Sequence, residues 1–147
     1  MTISAAPERR LTAGRTQRLG ATREDRLMSP RRPRDGYGTV TPRVVVDDVY
    51  AQTAFLRTVF GAIGDVEPGR PTEVHVGDSL IMVSSTSERD VFPAFLYIYV
   101  DDADQTYERA LSAGAVSIEA PLDTPYGDRR AMVRDPFGNV FQIAHEL

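Results

Sequence analysis

The 147 residues predict an α+β fold made of two successive βαβββ modules. Three observations carry this. Val46-Asp47-Asp48 recurs as Val100-Asp101-Asp102, each after a β-branched or aromatic run and before a helical one. Each helical run then stops at a Gly-Ala pair, Gly61-Ala62 and Gly114-Ala115. Each half closes on a turn followed by an apolar strand, at Gly77-Asp78 and at Gly138-Asn139. An internal period of about 54 residues is the mark of a duplicated supersecondary unit.

The elements follow in order. Thr41–Val46 (TPRVVV) is β-branched and predicts a strand. Asp47-Asp48 places a carboxylate at the start of a helix, where free N–H groups and the positive end of the dipole favour it. That helix spans Val49 to Phe60, with Ala51, Ala54, Phe55, Thr58 and Val59 near one face, and Gly61 ends it. Short strands are expected at Ala62–Val66, Thr72–Val76 and Ser79–Ser84, and 84–90 is a polar linker. Phe95–Val100 (FLYIYV) opens the second module. A helix over Ala103–Ala113 follows, with Tyr107, Ala110 and Leu111 on one face. Then come a strand at Ala115–Ala120, a loop at Pro121–Gly127 and a closing hairpin. In the hairpin, Asp135-Pro136-Phe137-Gly138-Asn139 connects Arg130–Val133 to Val140–Ala144, because Pro presets one φ and Gly accepts a positive one. Val140–Ala144 is apolar on both faces except at Gln142, so it reads as a central strand buried on both sides, whose one amide needs a partner or faces a cleft.

Composition narrows the chemistry. With 41% hydrophobic and 26% charged residues the chain has the makeup of a soluble globular protein, long enough for one domain with a real core. No apolar run approaches the ~20 residues of a membrane span. There is no cysteine, which excludes disulfides and thiolate metal sites, and no lysine, which excludes a Schiff base. Histidine occurs twice, as His75 and His145; the latter is expected to be exposed. Residues 1–38 carry a net charge of +5 and the remainder −9, so the globular part is a poor surface for nucleic acid. Residues 1–37 form a basic, Arg-, Thr- and Pro-rich extension without apolar period, expected to be disordered. It reads as a solvated tail, as a partner-binding arm, or as sequence upstream of a natural start at Met28. The domain proper is 38–147, with modules at about 38–86 and 94–147.

The closing run Val-Arg-Asp-Pro-Phe-Gly-Asn-Val-Phe-Gln-Ile resembles the last hairpin of the glyoxalase/bleomycin-resistance/dioxygenase (vicinal-oxygen-chelate) superfamily. Tyr126-Gly127-Asp128-Arg129 is similar to the aromatic-Gly-Asp-Arg of its phosphonate-operon-type glyoxalase-like branch. The resemblance covers about residues 38–147. It implies that the modules form a curved mixed sheet around a cleft, helices on the convex side, in a cytoplasmic homodimer. It also implies four metal-binding positions, one on each of four equivalent strands. Here they fall on Thr41, Met82, Phe95 and Gln142. None is His, Asp or Glu, and hard or borderline divalent cations need such donors. The expectation is no metal and no cofactor.

Strand alternation gives the cleft other contents. Phe95, Tyr97 and Tyr99 share a face, joined by Met82, Thr41, Arg43 and Gln142. Such a set suits a planar or aromatic small molecule, held for sequestration; alternatively the aromatic strand simply fills the core between sheets. Glu73 and His75 share a strand face and are candidates for a general base with its orienting partner, or for a surface contact. An enzyme acting through cleft acid/base residues or an atypical metal site is therefore the second reading. Arg129 either holds a ligand anion or locks the Pro121–Gly127 loop through a salt bridge.

Overall fold

The computed structural model describes residues 33–87 and 89–147; most of the basic extension lies outside these. Residues 33–147 form one compact unit. The elements are β1 (Arg43–Val46), α1 (Val49–Phe60), β2 (Thr72–Val76), β3 (Ser79–Ser85), β4 (Phe95–Tyr99), α2 (Ala103–Ser112), β5 (Val116–Asp123), β6 (Asp128–Arg134) and β7 (Val140–Glu146).

The duplication is realised in space. The first sheet has the order β1-β3-β2 and the second β4-β7-β6-β5. In each, the first strand of the module runs parallel to the last, and the last pairs antiparallel with the one before it. The registers also match. Arg43, Met82 and Glu73 form one row across the first sheet, as Tyr97, Gln142 and Met132 do across the second.

Both helices start as the Asp pairs predict. The Asp48 carboxylate accepts from the Ala51 N–H at 2.9 Å and the Asp102 carboxylate from the Gln105 N–H at 3.0 Å. Gly61, at φ 66°, closes α1 by donating to carbonyls of the last turn. The helices pack against each other and against the inner sheet faces. One core spans both modules, from Val44, Leu56 and Val83 to Val133, Phe141 and Ile143. Phe55 and Phe60 of α1 pack on the Phe141 ring of β7, at centroid distances of 6.1 and 5.3 Å.

Several expectations shift. The buried face of α1 is Gln52, Thr53, Phe55, Leu56 and Val59, turned from the predicted stripe, in which Ala54 and Thr58 are exposed. The cause is polar. Gln52 donates to Asp135 at 3.0 Å and accepts from Asn139 at 2.8 Å, and all three are buried. Asp135 further accepts from the Phe137 and Asn139 N–H groups, so the hairpin turn is folded around a buried carboxylate. The predicted strand at Ala62–Val66 is only an isolated bridge, Ile63 to His75. Gly64 spends its carbonyl on Arg57, at 2.6 Å, instead of a ladder. It also lies so close to the Glu73 carbonyl that a Cβ there would come within 2.2 Å. The expected loop from Pro121 is strand as far as Asp123, with register shifts between Ser117 and Leu122. Pro121 is tolerated because β5 is an edge strand. Strand β7 is central but buried on one side only, since Val140 and Gln142 are partly open. Tyr37, assigned by the sequence to the extension, donates its hydroxyl to Glu73 and stands under the Arg34 guanidinium.

Candidate functional site

The outer face of the second sheet carries a row of exposed aromatic side chains. Along β4 the alternation is clean: Ile98 is buried, while Phe95, Tyr97 and Tyr99 are 63%, 37% and 65% exposed. These values reject the reading in which the Phe-x-Tyr-x-Tyr strand fills the core. The Tyr97 and Tyr99 rings lie 5.3 Å apart, tilted by 53°.

The next strands complete the face by the same parity. Gln142 stands opposite Tyr97 and Met132 opposite Gln142, both half-buried. Asp128 begins β6 on this side and is buried. Its Oδ2 accepts from both tyrosine hydroxyls, at 2.6 Å from Tyr97 and 2.8 Å from Tyr99. Its position is set by a closed turn. The Thr124 N–H donates to the Asp128 carbonyl at 2.7 Å, and Asp128 N–H returns a bond to the Thr124 hydroxyl at 3.0 Å. Gly127, at φ 95°, makes that turn possible. Arg130 follows two residues on, donating to Tyr126 at 3.0 Å and Glu119 at 2.5 Å, and its buried Nε has no partner among the described residues. Burial, and then the bond to Asp128, push the Tyr97 phenol above its usual range; for Tyr99 the bond to Asp128 is the main cause. Both hydroxyls are therefore neutral donors at physiological pH.

The sequence-derived set divides between the sheets. Phe95, Tyr97, Tyr99 and Gln142 come together on the second. Arg43 and Met82 belong to the first, where Arg43 donates to Ser84 at 2.9 Å. Thr41 precedes β1 and caps a bend by donating to the Gly38 carbonyl at 3.3 Å. Arg129 points to the opposite face from Asp128, bound to Asp104 at 2.8 Å and Asp123 at 2.9 Å. The salt-bridge alternative thus describes it, and a ligand anion in the aromatic face is out of its reach. Glu73 and His75 do share a strand face, but no hydrogen bond joins them. Glu73 is taken up by Tyr37 and Arg70, and the Tyr37 bond in particular holds its carboxyl below the ordinary range, which disfavours it as a base. His145 is half-buried rather than exposed: its Nδ1 accepts from the Ala103 N–H at 2.8 Å, at the first turn of α2. Asp128, Arg130, Met132 and Tyr126 were not singled out from the sequence as site residues. The signal was present in the alternation of β6, once the strand is known to begin at Asp128 rather than at Arg130.

The four metal positions hold a hydroxyl, a thioether, a phenyl ring and an amide. Among the described residues no group of three His, Cys, Asp or Glu side chains converges as a metal site would need. The residues present do not fit the divalent cation the fold can carry.

Residues 38–143 match the family model of the Glyoxalase/Bleomycin resistance protein/Dioxygenase superfamily. Among solved structures, the chain is similar to TioX from Micromonospora sp. ML1, with 23% identity, a TM-score of 0.65, and coverage of 75% of this chain and 99% of that one. A glyoxalase/bleomycin resistance protein/dioxygenase family enzyme from Burkholderia phytofirmans PsJN is 27% identical, with a TM-score of 0.63 and coverage of 73% and 97%. The lactoylglutathione lyase of Agrobacterium tumefaciens shares the fold at 21% identity, with a TM-score of 0.60 and coverage of 73% and 92%. An uncharacterised Mycobacterium bovis protein is 43% identical over 55 residues, 37% of this chain and 36% of that protein, so the match spans about a third of that relative's length. The chain belongs to the Glyoxalase/Bleomycin resistance protein/Dioxygenase superfamily.

Proposed function

We propose that this superfamily member binds a small planar or aromatic organic molecule on the outer face of its second sheet, without a resident metal, and that a second copy of the chain closes over that face. The proposal extends to sequestration of such a compound as the biological role. Assignment to the phosphonate-operon-type branch belongs to the same proposal and rests on Tyr126–Arg129.

One observation carries the reading: Phe95, Tyr97 and Tyr99 stand exposed in a row, beside a polar floor of Asp128, Arg130 and Gln142. Rings offer stacking area to a flat ligand, and a few fixed polar groups orient it. Val116, Ile118 and Leu122 of the edge strand β5 are exposed as well, which gives more apolar surface than isolated exposed residues explain and supports a covering partner. The acid/base reading has less support, because Glu73 is engaged by Tyr37 and Arg70. No described helix is long and apolar enough to cross a membrane.

The test is calorimetric titration of the full chain with a panel of planar aromatic compounds, alongside light scattering. At least one compound is expected to bind, Tyr97→Ala to weaken it by about tenfold or more, and the mass to be that of a dimer. Zn²⁺, Ni²⁺, Mn²⁺ and Fe²⁺ are expected to leave the melting temperature unchanged, since a metal bound to the native state must raise it. A metal-induced rise, or ligand binding indifferent to Tyr97→Ala, overturns the proposal.

A further inference from the structure

A cleft of about 370 Å³ opens at the first sheet, away from the aromatic row. It lies where the end of β3 meets the segment before β2 and the start of α1. From residue 39 onward the chain has eight arginines among seventeen acids, yet three of the eight, Arg43, Arg70 and Arg89, line this one cleft, and among the described residues Glu67 is its one acidic wall. Arg70 is neutralised by Glu67 at 3.2 Å and Glu73 at 2.8 Å. Arg43 is not. Its Nε donates to Ser84, and among the described residues no carboxylate pairs with it. Ser84, whose oxygen accepts from Arg43, keeps its proton to donate, and of Ser85 and Ser87, bonded to each other at 2.8 Å, one hydroxyl proton is left.

Thr72 is a second and independent sign. It lines the same cleft, is 1% exposed, and among the described residues its hydroxyl has no hydrogen-bond partner. Buried hydroxyls are nearly always paired, and one left unpaired costs free energy that a bound acceptor recovers. The remaining wall is apolar from Val49, Val66, Pro68 and Val83, with the Tyr50 ring beside them.

We infer that this cleft binds a small molecule bearing an oxyanion, a carboxylate or phosphate group on a compact apolar body. The Arg43 guanidinium offers its outer edge to two oxygens, the geometry in which arginine binds such groups best. Arg89 adds charge at the mouth, and the Thr72 hydroxyl and the serines donate to the remaining lone pairs. The apolar wall covers the body of the ligand. The volume accommodates a single-ring compound.

The experiment titrates the full chain, at low ionic strength, with phenyl phosphate, benzoate and inorganic phosphate. Phenyl phosphate or benzoate is expected to bind, and the tighter of the two names the head group. Inorganic phosphate is expected to bind about tenfold more weakly, because it leaves the apolar wall uncovered. The Arg43→Gln/Arg89→Gln double variant should lose at least about tenfold in affinity, and 0.5 M NaCl should weaken binding to the wild type. Thr72→Val, which keeps shape, should weaken binding severalfold while raising the melting temperature of the free protein. Cyclohexanecarboxylate, whose saturated ring cannot stack on Phe95, Tyr97 and Tyr99, should bind within a few fold of benzoate; loss of its binding would assign benzoate to the aromatic face instead of the cleft. Failure of both organic anions to bind, or binding unchanged in the double variant or in Thr72→Val, overturns the site.

Discussion

The two modules share a topology, save that an isolated bridge at Ile63 stands where the second has its edge strand β5, and are opposites in surface. Each pairs its first strand parallel to its last, caps its helix with the second aspartate of an Asp-Asp pair, and sets three equivalent residues in a row across its sheet. In the first module that row is Arg43, Met82 and Glu73, tied into ion pairs and hydroxyl bonds. In the second it is Tyr97, Gln142 and Met132, beside two more exposed aromatic side chains. The hairpins differ too. Gly77-Asp78 turns in two residues at the surface, whereas Asp135–Asn139 folds around a buried carboxylate that reaches the other module's helix through Gln52. The backbone repeat is maintained by inward-facing residues. The outward positions carry no such constraint, so the halves could diverge into a charged face and an aromatic one without losing the fold.

The largest expected effect compares equivalent core positions. Phe141→Ala should lose about 4 kcal/mol of stability, and Ile81→Ala about 3 kcal/mol, in urea denaturation. Phe141 exceeds its counterpart because it packs on Phe55 and Phe60 of the first module's helix, so its loss also loosens the joint between modules. Equal losses would mean that the joint does not depend on this ring.

The turns come next. Asp135→Ala removes the acceptor of four donors, from Gln52, Phe137 and Asn139, and should cost about 3 kcal/mol, whereas Asp78→Ala at the exposed turn should change stability by less than about 0.5 kcal/mol. A small effect at Asp135 would show that water replaces the network.

The smallest expected effect is on pH dependence. Tyr97 and Tyr99 titrate higher in the folded protein than their ordinary value of 10.0, so the stability they contribute is fully present below pH 10 and is lost as pH rises beyond it. The Tyr97→Phe/Tyr99→Phe variant should therefore show a flatter fall in melting temperature between pH 9 and 11 than the wild type. An unaltered alkaline limb would mean that the hydroxyls are not bound to Asp128 in solution.

Much of this was legible in the chain because it depends on neighbours in sequence. The Asp caps, the Gly61 stop, the strand of alternating Phe95, Tyr97 and Tyr99, and the turn at Asp135–Asn139 each follow from local backbone chemistry and a period of two or 3.6. The 54-residue repeat then gave the module count, and the closing run from Val133 to Ile143 carried the resemblance to the superfamily. What escaped depends on partners distant in sequence. Gln52 faces inward because Asp135, 83 residues away, needs its amide. Glu73 is withdrawn from His75 by Tyr37 and Arg70. Asp128 gathers two hydroxyls only because β4 and β6 flank β7. Alternation determined by itself which residues of β4 share a side; only the tertiary structure decided whether that side is core or surface, because burial depends on which face the helices cover.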